Sequence, residues 1–430
     1  LLLLASCPKA LRPLSPLEQA ESHLHQGESA KAIPILESLY RADPGDLGVG
    51  RLLAQAHVKN GTPDTLLRQL SAPKTAAEHY LRGLLLFSRA ADATGPAIEA
   101  FSKAVALQPE IAEFHYRLGL ALLEGERYED ALASLAIAVE RSPNQRAWAL
   151  PMAKALHRSG QQDKAVAAIR SVVMGSPSPS EIATARALME NIADPFGRLP
   201  QAARPSFEQG LNELYQKDQP QAAIVSFESV AREYPDLGVV HTLLGLSYQR
   251  LGDAGRALDE LKRAIELSPA DGKNHLYLAG LYLSHQRPDA ARTHLLKALE
   301  RNPLLDDAYA QLGDLELERR DLEGAEKVFR TLVTIAPSSL VARGKLALVY
   351  QQQGDWPAAE NQLRAALEKD PENIEFVLRM GVLHTERFQK ARSPQEKQAA
   401  SEVARVWLKK VLDAQPQNTI ASRALQVLPP

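Results

Sequence analysis

Five prolines, Pro235, Pro269, Pro303, Pro337 and Pro371, stand 34 residues apart, and an alanine precedes each by twelve residues: Ala223, Ala257, Ala291, Ala325 and Ala359. A pattern of this period limits the chain to folds in which one short supersecondary unit stacks on copies of itself. Each unit holds two apolar runs of helical period, for example Val239 to Arg250 and Ala254 to Leu267, parted by Gly252-Asp253. The same turn recurs as Arg320-Asp321 and Gly354-Asp355, so the unit is expected to be a helical hairpin. A small residue on the first helix (Gly245, Ala279, Gly313, Ala347) and the alanine twelve residues later mark where two helices approach closely. A large residue follows that alanine by four positions (Leu261, Leu295, Phe329, Leu363) and a small or aliphatic one by seven (Ala264, Ala298, Leu332, Ala366), on one helix face. Each proline lacks a backbone donor and biases the preceding residue away from helix, which ends the hairpin.

Gly245-Leu246-Ser247-Tyr248, Ala257, Leu261, Ala264 and Pro269 follow in order the signature of the tetratricopeptide repeat, and the chain resembles that family in five or more units. The resemblance implies an all-α, right-handed superhelical solenoid of about ten to eleven hairpins with a C-terminal capping helix. It also implies a concave groove that binds peptides or protein segments.

Along the chain, residues 1–7 read as a signal-peptide remnant with a lipobox, and 8–16 as a Pro-rich linker. Residues 17–179 form an N-terminal array, 180–205 an irregular joint, and 206–430 a C-terminal array with its cap. The N-terminal array is loosely written at first. Ala32, Leu36, Leu39 and Pro44 occupy the expected slots, and Leu47 to Pro73 is a degenerate unit whose second helix is shortened by Gly61-Thr62-Pro63. The pattern returns at Ala97, with about two extra residues in the turn from Ala91 to Gly95, and is strict at Pro109, Pro143 and Pro177. In the joint, Glu181 to Ile192 reads as one helix, and Pro195, Gly197, Pro200 and Pro205 act as breakers. The unit from Ile374 to Pro416 carries about eleven extra residues around Arg392 to Ala399, and Thr419 to Leu428 is expected to close the array with polar outward residues.

The net charge is −2 with both signs interspersed, so nucleic acid is not expected as a partner. No apolar run reaches the roughly 18 to 20 residues of a membrane span. One cysteine excludes an internal disulfide framework and any multi-thiolate zinc site. No cofactor is expected: no phosphate-cradling glycine loop, His-Glu-x-x-His pair or Gly-x-Ser-x-Gly elbow is present, and the chain reads as non-enzymatic. Among eleven histidines, His115, His241 and His275 share one slot, four residues before Gly119, Gly245 and Ala279, where a packing imidazole is expected.

That cysteine is Cys7, and Leu4-Ala5-Ser6-Cys7 resembles the lipobox of bacterial lipoproteins. The resemblance implies lipidation of Cys7, loss of residues 1–6, and anchoring in the cell envelope. Pro8 is not the aspartate associated with inner-membrane retention, so the outer membrane, facing the periplasm, is favoured.

The remaining candidate is a partner groove along the first helices, at three- and four-residue spacing. Its residues are Tyr116, Leu120 and Leu123; Thr242, Leu246 and Gln249; Leu276, Gly280 and Leu283; Ala310, Asp314 and Leu317; and Gly344, Leu348 and Gln351. The asparagines of the family's carboxylate clamp are missing, since the slots read Leu120, Leu246, Gly280, Asp314 and Leu348. An amphipathic helix or an extended apolar stretch therefore suits the groove. The leading expectation is a lipid-anchored periplasmic scaffold for an envelope assembly such as a pilus, a secretion channel or outer-membrane biogenesis. A soluble cytoplasmic adaptor and the regulatory region of a larger enzyme system are the alternatives, and the closing helix near Pro430 counts against the last.

Overall fold

The computed structural model describes residues 14–89, 93–194, 196–197 and 199–429, and among these it contains helices and no strand. The lipidation expected at Cys7 lies outside the described residues. The chain divides into two compact units, the first ending at Ala168 and the second starting at Ile169.

The helices follow one another in pairs. The first unit contains α1 (Pro16–His25) with α2 (Ser29–Ala42), α3 (Leu47–Lys59) with α4 (Pro63–Gln69), and α5 (Ala76–Phe87) with α6 (Thr94–Leu107). After these come α7 (Ala112–Glu124) with α8 (Tyr128–Arg141), then α9 (Ala149–Arg158) and α10 (Gln162–Val173), which runs across the boundary. In the second unit α11 (Pro179–Ala193) stands alone, followed by α12 (Arg204–Leu211) with α13 (Pro220–Glu233) and α14 (Gly238–Arg250) with α15 (Ala254–Leu267). Then come α16 (Gly272–Ser284) with α17 (Pro288–Arg301), α18 (Asp306–Glu318) with α19 (Leu322–Ile335), and α20 (Leu340–Gln353) with α21 (Trp356–Leu367). The series ends with α22 (Ile374–Lys390) paired with α23 (Pro394–Ala414) and the closing α24 (Thr419–Val427). These make eleven pairs among the described residues, within the number the repeat implies.

The small-residue slots hold the hairpins shut. Ala223, Ala257, Ala291, Ala325 and Ala359 are all fully buried, as are Ala97 and Ala131. A Cβ placed on Gly245 would lie 2.7 Å from Leu261, and one on Gly119 2.5 Å from Leu135, so the large side chain of the second helix occupies the space a side chain on the first would need. Burying each such leucine or phenylalanine contributes roughly 1.5–3 kcal/mol.

The turn inside each hairpin has a backbone reason. Gly27, Gly61, Gly160, Gly252 and Gly354 have positive φ, and Glu126, Asp218, Gln286 and Arg320 hold the same conformation at the same point of their hairpins. Where an aspartate follows, it caps the second helix. Asp253 accepts from the Arg256 amide at 3.0 Å, Asp321 from Gly324 at 2.9 Å and Asp355 from Ala358 at 3.1 Å.

One hairpin departs from the period by a single residue. Gly210, not residue 211, meets the Phe227 ring, which leaves thirteen residues before Ala223 in place of twelve. The extra residue is absorbed as a π-helix over Asn212–Gln216, whose Glu213 is buried and accepts from the Ser226 hydroxyl at 2.7 Å. Pro205, read from sequence as a breaker, lies in the first turn of α12, where a missing amide proton costs nothing. The extra residues near Arg392 lengthen both helices, to 17 residues in α22 and 21 in α23. The closing helix differs from expectation: Ile420 and Val427 are 56% and 48% exposed, because α24 repeats the register of a first helix and turns that face outward as its predecessors do.

The left-handed turn gives a signed test. Arg320→Gly removes the steric cost of a side chain at positive φ and should stabilise the fold by about 0.5–1 kcal/mol, whereas Gly252→Ala should destabilise it by about 1–2 kcal/mol. Thermal midpoints of the two variants against the parent check the order, and a reversed order would refute this account of the turn.

Candidate protein-binding groove

The residues expected to face a partner divide by where the structure places them. Thr242 and Leu276 are buried, and the Thr242 hydroxyl lies 2.6 Å from Asn274 Oδ1 on the neighbouring first helix, so both pack between hairpins. Leu123 and Gly344 are buried as well. Leu120, Leu246, Gln249, Gly280, Ala310, Leu317, Leu348 and Gln351 are half-buried. Tyr116 is half-buried with its ring stacked on Trp148, centroids 4.5 Å apart, and the Arg117 guanidinium 5.5 Å from its centroid.

Leu283 and Asp314 come together at a cavity of about 580 Å³ in the second unit, beside Gln286, Gln311, Leu315 and Glu318. Its walls are α16 and α18, two successive first helices, and Lys345 on α20 holds the Asp314 carboxylate at 2.7 Å. Both members of this pair are partly solvent-exposed, so it contributes about 0–1 kcal/mol.

A second cavity of about 590 Å³ lies in the first unit, on Leu17, Val49, Leu52 and Leu84, with Arg51 and Arg117 at its side. Residues of four first helices line it: α1, α3, α5 and α7. Arg117 Nε donates to Glu113 at 2.9 Å, the Tyr80 hydroxyl donates to the same oxygen at 3.0 Å, and an Arg51 guanidinium nitrogen sits 3.8 Å from it. Neighbouring Glu113 holds the Arg117 guanidinium above its ordinary pKa despite burial. The sequence pattern did not single out this cavity, although arginines on first helices were the visible sign of it.

The shared histidine slot has a structural use. The ring nitrogens Nε2 of His115 and His241 lie 2.8 and 3.1 Å from the carbonyl oxygens of Pro109 and Pro235, the prolines that end the preceding hairpins. Tyr309 and Arg343, in the same slot, donate to Pro303 and Pro337 at 3.3 and 3.0 Å. The slot thus satisfies the carbonyl at these four hairpin junctions. His275 differs: its Nδ1 lies 3.1 Å from Nδ1 of His294, a contact in which one imidazole donates and the other accepts. No group of three or more histidine, cysteine, aspartate or glutamate side chains that could hold a metal ion exists among the described residues.

Helix pairs packed side by side in succession within each unit, with cavities along the first helices, define a helical-hairpin solenoid. The chain belongs to the tetratricopeptide-repeat family: two family models described as tetratricopeptide repeat match residues 96–146, 126–181, 242–303 and 278–339, and residues 316–386. Among curated proteins, the Sol locus transcriptional repressor of Clostridium acetobutylicum is 31% identical over 90 residues, 20% of this chain and 28% of that protein. The mitochondrial import receptor subunit TOM70 of Rattus norvegicus is 25% identical over 123 residues, 28% of this chain and 20% of that protein. The chain thus spans about a quarter of the length of these relatives. Among solved structures, YrrB, a TPR protein with an unusual peptide-binding site, is 19% identical and covers 46% of this chain and 97% of its own, with a TM-score of 0.40. PilF of Pseudomonas aeruginosa is 15% identical over 52% of this chain and 96% of its own, with a TM-score of 0.42.

The histidine pair makes the second unit acid-sensitive. Burial, and then the neighbouring His294, Lys297 and Arg301, push His275 down from 6.5 to about 4, and burial followed by Lys297 and Lys262 lowers His294. A histidine with a depressed folded pKa binds its proton more readily when unfolded. Its neutral form therefore supports the fold fully above pH 6.5, and that support is lost as pH falls from 6.5 towards 4. His241 has the opposite sign, because its bond to Glu260 at 2.6 Å raises its pKa, and its contribution is lost as pH rises through that value. Urea midpoints at pH 7.5, 6 and 4.5 should fall more for the parent than for a His275→Gln, His294→Gln variant; parallel curves would refute the assignment.

Proposed function

We propose that the chain is a non-enzymatic scaffold that holds a protein segment along its first helices, and that it does so from a lipid anchor on the periplasmic face of the outer membrane. The observation that carries the binding role is that each unit has a cavity of about 580–590 Å³ lined by successive first helices, with an apolar floor and charged groups at its edge. Tetratricopeptide-repeat proteins act through protein partners, and the matched models cover repeat units. An amphipathic helix suits the chemistry: apolar side chains meet Leu52, Leu84, Leu283 and Leu315 while polar ones meet Arg51, Arg117, Asp314 and Glu318. The envelope location is supported by Leu4-Ala5-Ser6-Cys7, where the chain's one cysteine occupies the slot a lipidated residue requires. More than one acyl group is needed for stable anchoring, which a lipoprotein cysteine supplies. No helix among the described residues is long and apolar enough to cross a membrane. The reading extends to holding components of an envelope assembly such as a pilus, a secretion channel or outer-membrane biogenesis.

The anchor and the groove are tested separately. In envelope fractionation the parent should partition with membranes and Cys7→Ala should be released; equal distribution of the two would end the lipoprotein claim. In affinity capture from the native envelope, Leu283→Glu should lower recovery of a partner at least tenfold with helicity and melting preserved, while Asp259→Lys, an exposed change on a second helix, should not. Equal recovery with both variants would place the partner elsewhere.

A further inference from the structure

After Pro235, Pro337 and Pro371 the next residues, Asp236, Ser338 and Glu372, are exposed, and Ala270 after Pro269 is half-buried, but at Pro303-Leu304-Leu305 all three residues are buried and Leu304 is only 4% exposed. Polar contacts to this junction come from far back in the chain. Arg186, in the middle of α11, donates to the Leu304 carbonyl at 3.2 Å, to Asp306 Oδ1 at 2.8 Å and to the Ile335 carbonyl at 3.1 Å. Arg170, in the last turns of α10, donates to the carbonyl of Glu300. These partners lie 118 to 149 residues away from their arginines; those of Arg186 are beyond the intervening pairs α12/α13, α14/α15 and α16/α17, and that of Arg170 is in the last turn of α17. An array encodes contacts between neighbouring units, so a bond that skips three of them is an addition to the repeat.

We propose that the end of α10 together with α11 is a clasp that seats on the α17–α18 junction and the end of α19, and so closes the three intervening hairpins into a circuit of fixed opening. The residues match the role. Arg186 satisfies two backbone carbonyls at helix ends with one planar guanidinium and adds a carboxylate, the geometry arginine forms and lysine does not. Leu304 and Leu305 give the seat two apolar residues, where the junctions after Pro235, Pro269, Pro337 and Pro371 each include at least one polar residue. The seating is not a packed core: a cavity of about 670 Å³ remains between Val173, Met174 and Ser176 on one side and Glu326, Lys327 and Thr331 of α19 on the other. A polar, partly hydrated contact of this kind is held by few interactions and opens at lower cost than the hairpins themselves. Release would change the spacing of first helices α14, α16 and α18, on which the α16–α18 cavity depends; that consequence rests on the groove reading, whereas the clasp itself does not.

The test measures distance in the full chain. With Cys7→Ser, spin labels at Glu190→Cys on α11 and Lys327→Cys on α19, both exposed positions, should give one narrow distance distribution. Adding Arg186→Glu should broaden it and shift it to longer distance, because a carboxylate there faces Asp306 and two carbonyls. Leu304→Asp should do the same from the other side while leaving its own hairpin intact, since Asp236 occupies the equivalent place in a sister hairpin. Arg186→Glu with lost helicity leaves Leu304→Asp as the deciding variant. A parent distribution that is already broad, or a narrow one unchanged in a helical Leu304→Asp chain, overturns the proposal.

Discussion

Everything in this fold depends on two helices approaching closely enough that one has no room for a side chain. Leu261 fills the space beside Gly245, Leu135 the space beside Gly119, and the second helices of these hairpins carry the fully buried Ala257 and Ala131. Interiors pack at crystal-like density, so this contact fixes the angle and separation of the pair. Once the pair is fixed, its remaining apolar surface must be covered by the next pair, which makes the stack obligatory. The junction slot then joins the copies: His115, His241, Tyr309 and Arg343 each take up the carbonyl of the proline before them, a group that would otherwise be unpaired at the end of a helix.

Most of this was legible in the sequence because it is local. The spacing of Ala223 to Ala359 and Pro235 to Pro371 reports contacts made inside one unit and repeated, and the Gly-Asp turn names both the left-handed residue and the cap that follows it. What was not legible breaks the period or ignores it. One added residue before Phe227 could have lengthened a turn as easily as it formed the π-helix at Asn212–Gln216, and only packing of Gly210 against that ring decides. The eleven residues near Arg392 posed the same question, and two long helices resolved it. The bonds of Arg186 had no sequence sign at Arg186; the sign was the pair Leu304-Leu305 at a junction that elsewhere includes at least one polar residue.

The groove was legible only to within a helix face. A stripe at three- and four-residue spacing fixes a direction but not its phase, and a step of one residue turns it by about 100°. Thr242 and Leu276 fall on the side that meets the neighbouring hairpin, while Gln311 and Arg117, each one residue beyond a chosen position, line the cavities. First helices are packed on both flanks, so their apolar residues report neighbours as much as open surface. The charged residues were the better guide, because a charge on a helix flanked on both sides has to reach water or a partner.

Charged groups stand at the edge of both cavities. Around the first, Arg51 and Arg117 share the carboxylate of Glu113 while Glu21 and Asp46 also line the cavity, so charges of both signs border an apolar floor. Around the second, Lys345 pairs with Asp314, and Glu318 also lines the cavity, which leaves one negative charge. These groups are partly solvated, so they are screened by salt and add little to affinity. Their effect is on which way round a bound segment lies and how fast it arrives, while the leucines beneath supply the binding energy. An amphipathic segment reversed in such a groove keeps its apolar contacts and loses its charge match, which is how a surface built mainly of leucine distinguishes direction.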